Sequence, residues 1–158
     1  MKLIFSFLPA FFLFFQSGLE SLRNSYAIAN SSDANTEAFI NIAEKQSGSD
    51  AVTSGYKAAA KIMEAKIAKS NRKALVKSGA TNLEAIIKSN PNNAELRVIR
   101  MSVQENIPKI VGYRGSLKDD KVFILNNYSK QNTTLKNYIK RFAAQSKTIT
   151  AEERATLK

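Results

Sequence analysis

Val52, Tyr56, Ala59, Met63 and Ile67 recur at steps of four, three, four and four, the spacing that lines apolar side chains along one face of an α-helix. Lys57, Lys61, Glu64 and Lys66 fall between them and point elsewhere. Nowhere after Ser17 does the chain alternate apolar and polar residues with period two and β-branched side chains, so strands are not expected and the predicted fold class is all-α.

The same spacing divides the chain into about seven or eight helices. A first pair is predicted over 19–30 and 33–46, with Leu19, Leu22 and Tyr26 on one stripe and Phe39, Ile42 and Ala43 on the other, parted by Asn30-Ser31-Ser32. Ser47-Gly48-Ser49 breaks the chain and Asp50 caps the next helix. Its antiparallel partner carries Leu75, Val76, Gly79, Leu83, Ile86 and Ile87, and small residues at Ala59 and Gly79 permit close approach, so 50–90 is the best-marked hairpin. Asn90-Pro91 ends it, because the residue before proline is pushed out of the α region. Asn92 with Glu95 reads as an N-x-x-E cap of a fifth helix striped by Leu96, Ile99 and Val103, which stops before Pro108. A loop through Gly112-Tyr113-Arg114-Gly115 leads to a sixth helix opened by Asp119 and Asp120, with Val122, Leu125 and Tyr128 inward. Leu135, Tyr138, Ile139 and Phe142 mark a seventh, and Thr150 with Glu153 is a T-x-x-E capping box for a short terminal one.

The start of the chain obeys a different logic. Residues 3 to 15, LIFSFLPAFFLFF, are apolar behind Lys2. A basic start, an apolar run of about 7–15 residues and a small-residue exit is the secretory pattern, whereas a spanning helix needs about 20 apolar residues. The expectation is a signal peptide over 1–17, cleavage after Ser17 or Gly18, and a single helical domain over 18–158 that is exported to the periplasm or secreted. Ala27-Ile28-Ala29 is a second small-residue exit, but it lies beyond Glu20 and Arg23, too far from the apolar run. Pro9 and the short tract argue against an uncleaved anchor or a transmembrane span in the mature form.

The chain has no Cys and no His. Without them the usual general base, the thiol nucleophile and the commonest soft metal ligands are missing, so no cofactor and no metal are expected, and a His-dependent triad is excluded. About 140 residues bury roughly two-thirds of their unfolded surface, so the domain stands on packing without disulfides. Charge is uneven: residues 57–158 carry 21 Lys and Arg against 8 Asp and Glu, while 18–56 are net acidic. That basic region is either a solvated helical surface or the footprint of an anionic polymer, lipid surface or acidic protein; export leaves no nucleic acid to meet.

LEAIIKSNP, from Leu83 to Pro91, followed by Asn92-Asn93, resembles the second helix and terminating proline of a tetratricopeptide repeat, with Gly79 and Leu83 at its small and large positions. Ile86 stands where that repeat prefers Ala, and no second copy follows 34 residues away. The order of an export signal, a helical hairpin, NPNNAELRVIRMSVQENIPKIVGY and DDKVFI resembles a group of small uncharacterised exported bacterial proteins with a degenerate TPR-like core. The resemblance implies a degenerate TPR-like array of hairpins and supplies no activity. Glu95, Arg97, Arg100, Gln104, Asn106, Pro108, Gly112, Tyr113, Asp120 and Lys121 fall in its shared block.

Arg97, Arg100 and Gln104, three and four apart, share one helix face and form a candidate binding site with Tyr113 and Lys121, because paired guanidiniums grip carboxylate or phosphate bidentately. The structural alternative has these arginines pinning the 106–120 loop through its carbonyls or through Asp119 and Asp120. The two S-x-x-K patterns, Ser54 to Lys57 and Ser70 to Lys73, lack the sheet their enzymes need. Asp119-Asp120 and Glu152-Glu153 are read as helix-start acids, since neighbours on a helix point about 100° apart. No catalytic residue is assigned. The expected function is a non-catalytic protein-interaction module of the cell envelope that binds another envelope or secreted protein; the alternatives are a peripheral protein on anionic lipid or polysaccharide and, less favoured, a hydrolase built on the Arg/Tyr/Asp cluster.

Overall fold

The computed structural model describes the backbone of residues 8–158 and the side chains of 18–158. Among these described residues the chain is all-helical, with eight α-helices and no strand: α1 Leu8–Ile28, α2 Asp33–Lys45, α3 Ala51–Ile67, α4 Arg72–Ser89, α5 Ala94–Asn106, α6 Leu117–Asn127, α7 Thr133–Gln145 and α8 Ala151–Ala155. Short 3-10 turns occupy Lys109–Val111 and Tyr128–Lys130. The expected export tract, 3–15, has its side chains outside the described residues, and the expected cleavage point lies within α1. Among the described residues no helix is long and apolar enough to cross a membrane.

Local chemistry sets most boundaries. Asp50 accepts the amides of Val52 and Thr53 at 3.1 and 3.0 Å and so starts α3. The Thr150 hydroxyl accepts the Glu153 amide at 3.2 Å while Glu153 takes the Thr150 amide at 2.8 Å, the reciprocal capping box expected for α8. The cap of α5 differs from expectation: Asn93, not Asn92, accepts the Leu96 amide. Glu95 is therefore no capping residue. It faces inward, 2% exposed, and meets Arg23 of α1.

α3 and α4 form the most extensive helix pairing. Gly79 makes it possible, since a Cβ there would stand 2.7 Å from the Ala58 carbonyl oxygen and 2.6 Å from Ile62 Cγ1. Tyr26, Phe39 and Tyr56 pack ring against ring at 4.9 to 6.4 Å between centroids and join α1, α2 and α3. Leu22, Leu83, Leu96 and Ile99 complete this first core, each fully buried and each stabilising by about 1.5–3 kcal/mol against exposure.

A second core lies on the other side of α5, where Val98 and Met101 meet Ile124, Tyr138, Ile139 and Ile149. Here α6 departs from expectation. Val122 is 46% exposed, Ile124 is fully buried, and the buried stripe runs Asp120, Ile124, Tyr128. The stripe is interrupted by a charged residue whose partners sit on another helix, so an apolar reading shifts to the wrong face. Asp120 is thus more than a helix-start acid.

Candidate functional site

The arginine face of α5 is satisfied from within except at the buried Arg97 Nε, which has no partner among the described residues. Arg100 grips Asp120 with Nε to Oδ2 at 2.8 Å and Nη2 to Oδ1 at 2.6 Å, and its Nη1 reaches Glu84 Oε2 at 2.6 Å. Burial alone would lower the Arg100 pKa, but the bonds and charge of Asp120, with Glu84, hold it above the ordinary value. Arg97 donates to Asp120 at 3.2 Å and to the Pro91 carbonyl at 3.0 Å, with its guanidinium 5.0 Å from the Phe123 ring centroid. Tyr113 donates a hydrogen bond from its hydroxyl to Glu84 Oε1 at 2.6 Å, and burial with that bond raises its phenol pKa. Gln104 Oε1 accepts the Ser116 amide at 3.0 Å. Lys121 stands apart from this network and pairs with Glu153 of α8 at 2.8 Å.

Arg97, Arg100 and Tyr113 are therefore brought together, through Asp120 and Glu84. Their donors are directed at the protein itself. Tyr113 and Gln104, with Arg114, which reaches the Ile107 carbonyl at 3.0 Å, fasten the segment between α5 and α6, while Arg97 and Arg100 fix α6 itself through Asp120. Asn106 and Pro108 flank its start and Gly112, at φ 76°, turns it in the left-handed region that favours glycine.

What that segment encloses was not apparent from spacing. It forms one wall of a groove of about 910 Å3 whose other walls are α3, the first turns of α4 and the ends of α1 and α5. Ile62, Met63, Val76, Val103 and Ile107 give it an apolar lining, and Ile110 stands at the wall 95% exposed. Lys66, Arg72, Lys73 and Lys77 are the charged residues of the lining; no carboxylate among the described residues joins them. Lys66 contacts Asp33 at 3.5 Å and Arg72 donates to the Ala68 carbonyl at 2.7 Å, whereas Lys73 and Lys77 form no ion pair with a described residue. The available signals were faint: an Ile110-Val111 pair in a loop and a run of cations near the α3–α4 turn.

In size and lining the groove falls in the range of ligand and peptide sites. It offers apolar contact and positive charge. Among the described residues no group of three or more acidic side chains converges as a metal-ligand set. Compared with known proteins, the chain matches no family model, no curated protein and no solved structure.

Proposed function

We propose that this chain is an exported, non-catalytic interaction module of the cell envelope, a degenerate TPR-like helical array that seats another envelope or secreted protein in the groove between α3, α4 and the α5–α6 segment. The observation that carries the reading is the juxtaposition of an apolar groove of about 910 Å3 with an almost fully exposed Ile110 and a basic edge. Large apolar side chains left in water at the rim of a concave surface are typical of surfaces completed by a partner. The apolar tract behind Lys2 supports export. The Arg97, Arg100, Gln104 and Tyr113 contacts belong to the reading as struts that hold the groove wall in place.

A second reading has one observation in its favour: Ile110 and Val111, exposed beside the cations, also suit the headgroup boundary of an anionic membrane. Affinity capture from the native envelope fraction with wild type, Ile110→Ser and Val76→Trp, at about 0.15 and 0.5 M salt, separates the two. A co-purifying protein that survives high salt and is lost from both variants supports the groove reading. Capture that both variants leave unchanged overturns it, and binding to anionic vesicles that vanishes at high salt favours the second. Mass measurement of the chain recovered from cells tests export, which predicts loss of the first 17 or 18 residues.

A further inference from the structure

We infer that the occupant of the groove is an acidic amphipathic helix of a partner protein. The inference rests on the groove being the binding site and adds the chemistry of what enters it. Charge complementarity makes the case. The lining contains four cations and no carboxylate among the described residues; Lys66 meets Asp33 and Arg72 the Ala68 carbonyl, so it is Lys73 and Lys77 that a basic or neutral apolar segment would leave unpaired as it displaced their water.

The placement of the cations favours a helix over a lipid. Lys73 and Lys77 are four apart on α4, on one face and about 6 Å from each other. Arg72 and Lys66 extend the positive edge around the α3–α4 turn. A single-chain lipid brings one headgroup and answers one of these positions. A helix with Glu or Asp at i and i+4 on its flank answers Lys73 and Lys77 together while its apolar stripe lies against Ile62, Met63 and Val76. Met63 suits such a floor, because an unbranched thioether adapts to different apolar partners. Ile110, almost fully exposed, would lie against the helix from the α5–α6 side, in the helix-in-groove mode of peptide recognition.

The test uses the full chain and three probes: a fluorescein-labelled amphipathic peptide with Leu at i, i+3, i+4 and i+7 and Glu along both flanks, the same peptide with Lys for Glu, and laurate. The Glu peptide is expected to bind at least about tenfold tighter than the Lys peptide. In Lys73→Glu/Lys77→Glu, both exposed positions that do not threaten the fold, the order is expected to reverse. A purely structural effect of the substitutions would weaken both peptides alike and would not reverse it. Equal binding of the two peptides, or laurate binding with neither peptide, overturns the inference. Absence of peptide binding while Val76→Trp still abolishes envelope capture rejects the acidic helix and leaves the groove as the site; capture that survives Val76→Trp rejects the groove itself.

Discussion

Arg23 of α1 and Glu95 of α5 meet fork to fork inside the protein, Nε to Oε1 at 2.8 Å and Nη2 to Oε2 at 2.6 Å, across 72 positions of sequence. Tyr56 of α3 donates its hydroxyl to the same carboxylate at 2.8 Å, and the Arg23 guanidinium lies 5.7 Å from the Tyr138 ring centroid on α7. Burial alone would lower the Arg23 pKa; the bond and charge of Glu95 hold it above the ordinary value. One ion pair thus ties four helices.

Removing one partner of that pair leaves the other buried and unanswered, so Arg23→Ala and Glu95→Ala are each expected to cost about 3–5 kcal/mol in urea unfolding. The pair replaced together, as Arg23→Met/Glu95→Leu, should cost less than either truncation. Losses below about 1 kcal/mol for both single variants would mean that the pair is not desolvated as described.

Gly79→Ala and Gly115→Ala should move stability in opposite directions. In a helix interior Gly→Ala ordinarily gains about 1 kcal/mol. At Gly79 the new methyl would meet the Ala58 backbone oxygen at 2.7 Å and Ile62 Cγ1 at 2.6 Å, an overpacking cost of about 1–3 kcal/mol that outweighs it. Around Gly115 nothing lies within 4 Å and its φ is not positive, so Ala there stabilises by about 0.4–1 kcal/mol through the unfolded chain. Thermal melting of the two variants decides the matter, and a higher melting temperature for Gly79→Ala would contradict the close approach of α3 and α4.

Alkali should unfold the protein cooperatively. Burial raises the phenol pKa of Tyr26, Tyr56 and Tyr138 above the ordinary 10.0. Above pH 10 the unfolded chain releases these protons while the folded one retains them, so stability that is complete below pH 10 declines as pH rises, by about 1.4 kcal/mol per pH unit for each phenol. Phenolate absorbance should therefore appear together with loss of helicity, and Tyr138→Phe should reduce the slope by one proton. Ionisation of all the tyrosines near pH 10 with helicity intact would refute their burial.

The struts of the groove wall should be separable by hydrogen exchange. Tyr113→Phe removes one bond to a half-exposed Glu84 and should cost about 0.5–1.5 kcal/mol, with faster exchange confined to residues 109–115. Asp120→Ala leaves the guanidiniums of Arg97 and Arg100 without their shared carboxylate and should cost about 3–5 kcal/mol, spreading the effect into α5 and α6. Uniform protection in Tyr113→Phe would detach Tyr113 from this role.

Where local chemistry decides a boundary, the sequence was readable: Asp50 starts α3, Asn90-Pro91 follows the end of α4, and Thr150 with Glu153 opens α8. The all-helical class follows from three-and-four spacing alone. Val122 and Ile124 show where such reading fails, because the inward stripe of α6 begins with Asp120, whose burial makes sense only once Arg97 and Arg100 arrive from α5. Glu95 is hidden for the same reason, its partner lying far off in α1. The arginine face was visible as a cluster, and its structural alternative named Asp120. The groove was not visible, since Ile62, Met63 and Val76 carry the same spacing as core residues, and Ile62 and Met63 are indeed buried core residues that also form the groove's floor.

α5 gives Leu96, Ile99 and Val103 to one core and Val98 and Met101 to the other. It behaves as a party wall: each half of the molecule is finished by a surface the other half also needs. A cut in the exposed stretch 108–112, between α5 and α6, would therefore not release two independent folding units, because the N-terminal piece would keep α5 with its far side stripped of α6 and α7. Cooperativity between the two halves thus runs through one shared helix, with the Arg23–Tyr138 and Arg141–Asn24 contacts of α1 and α7 beside it.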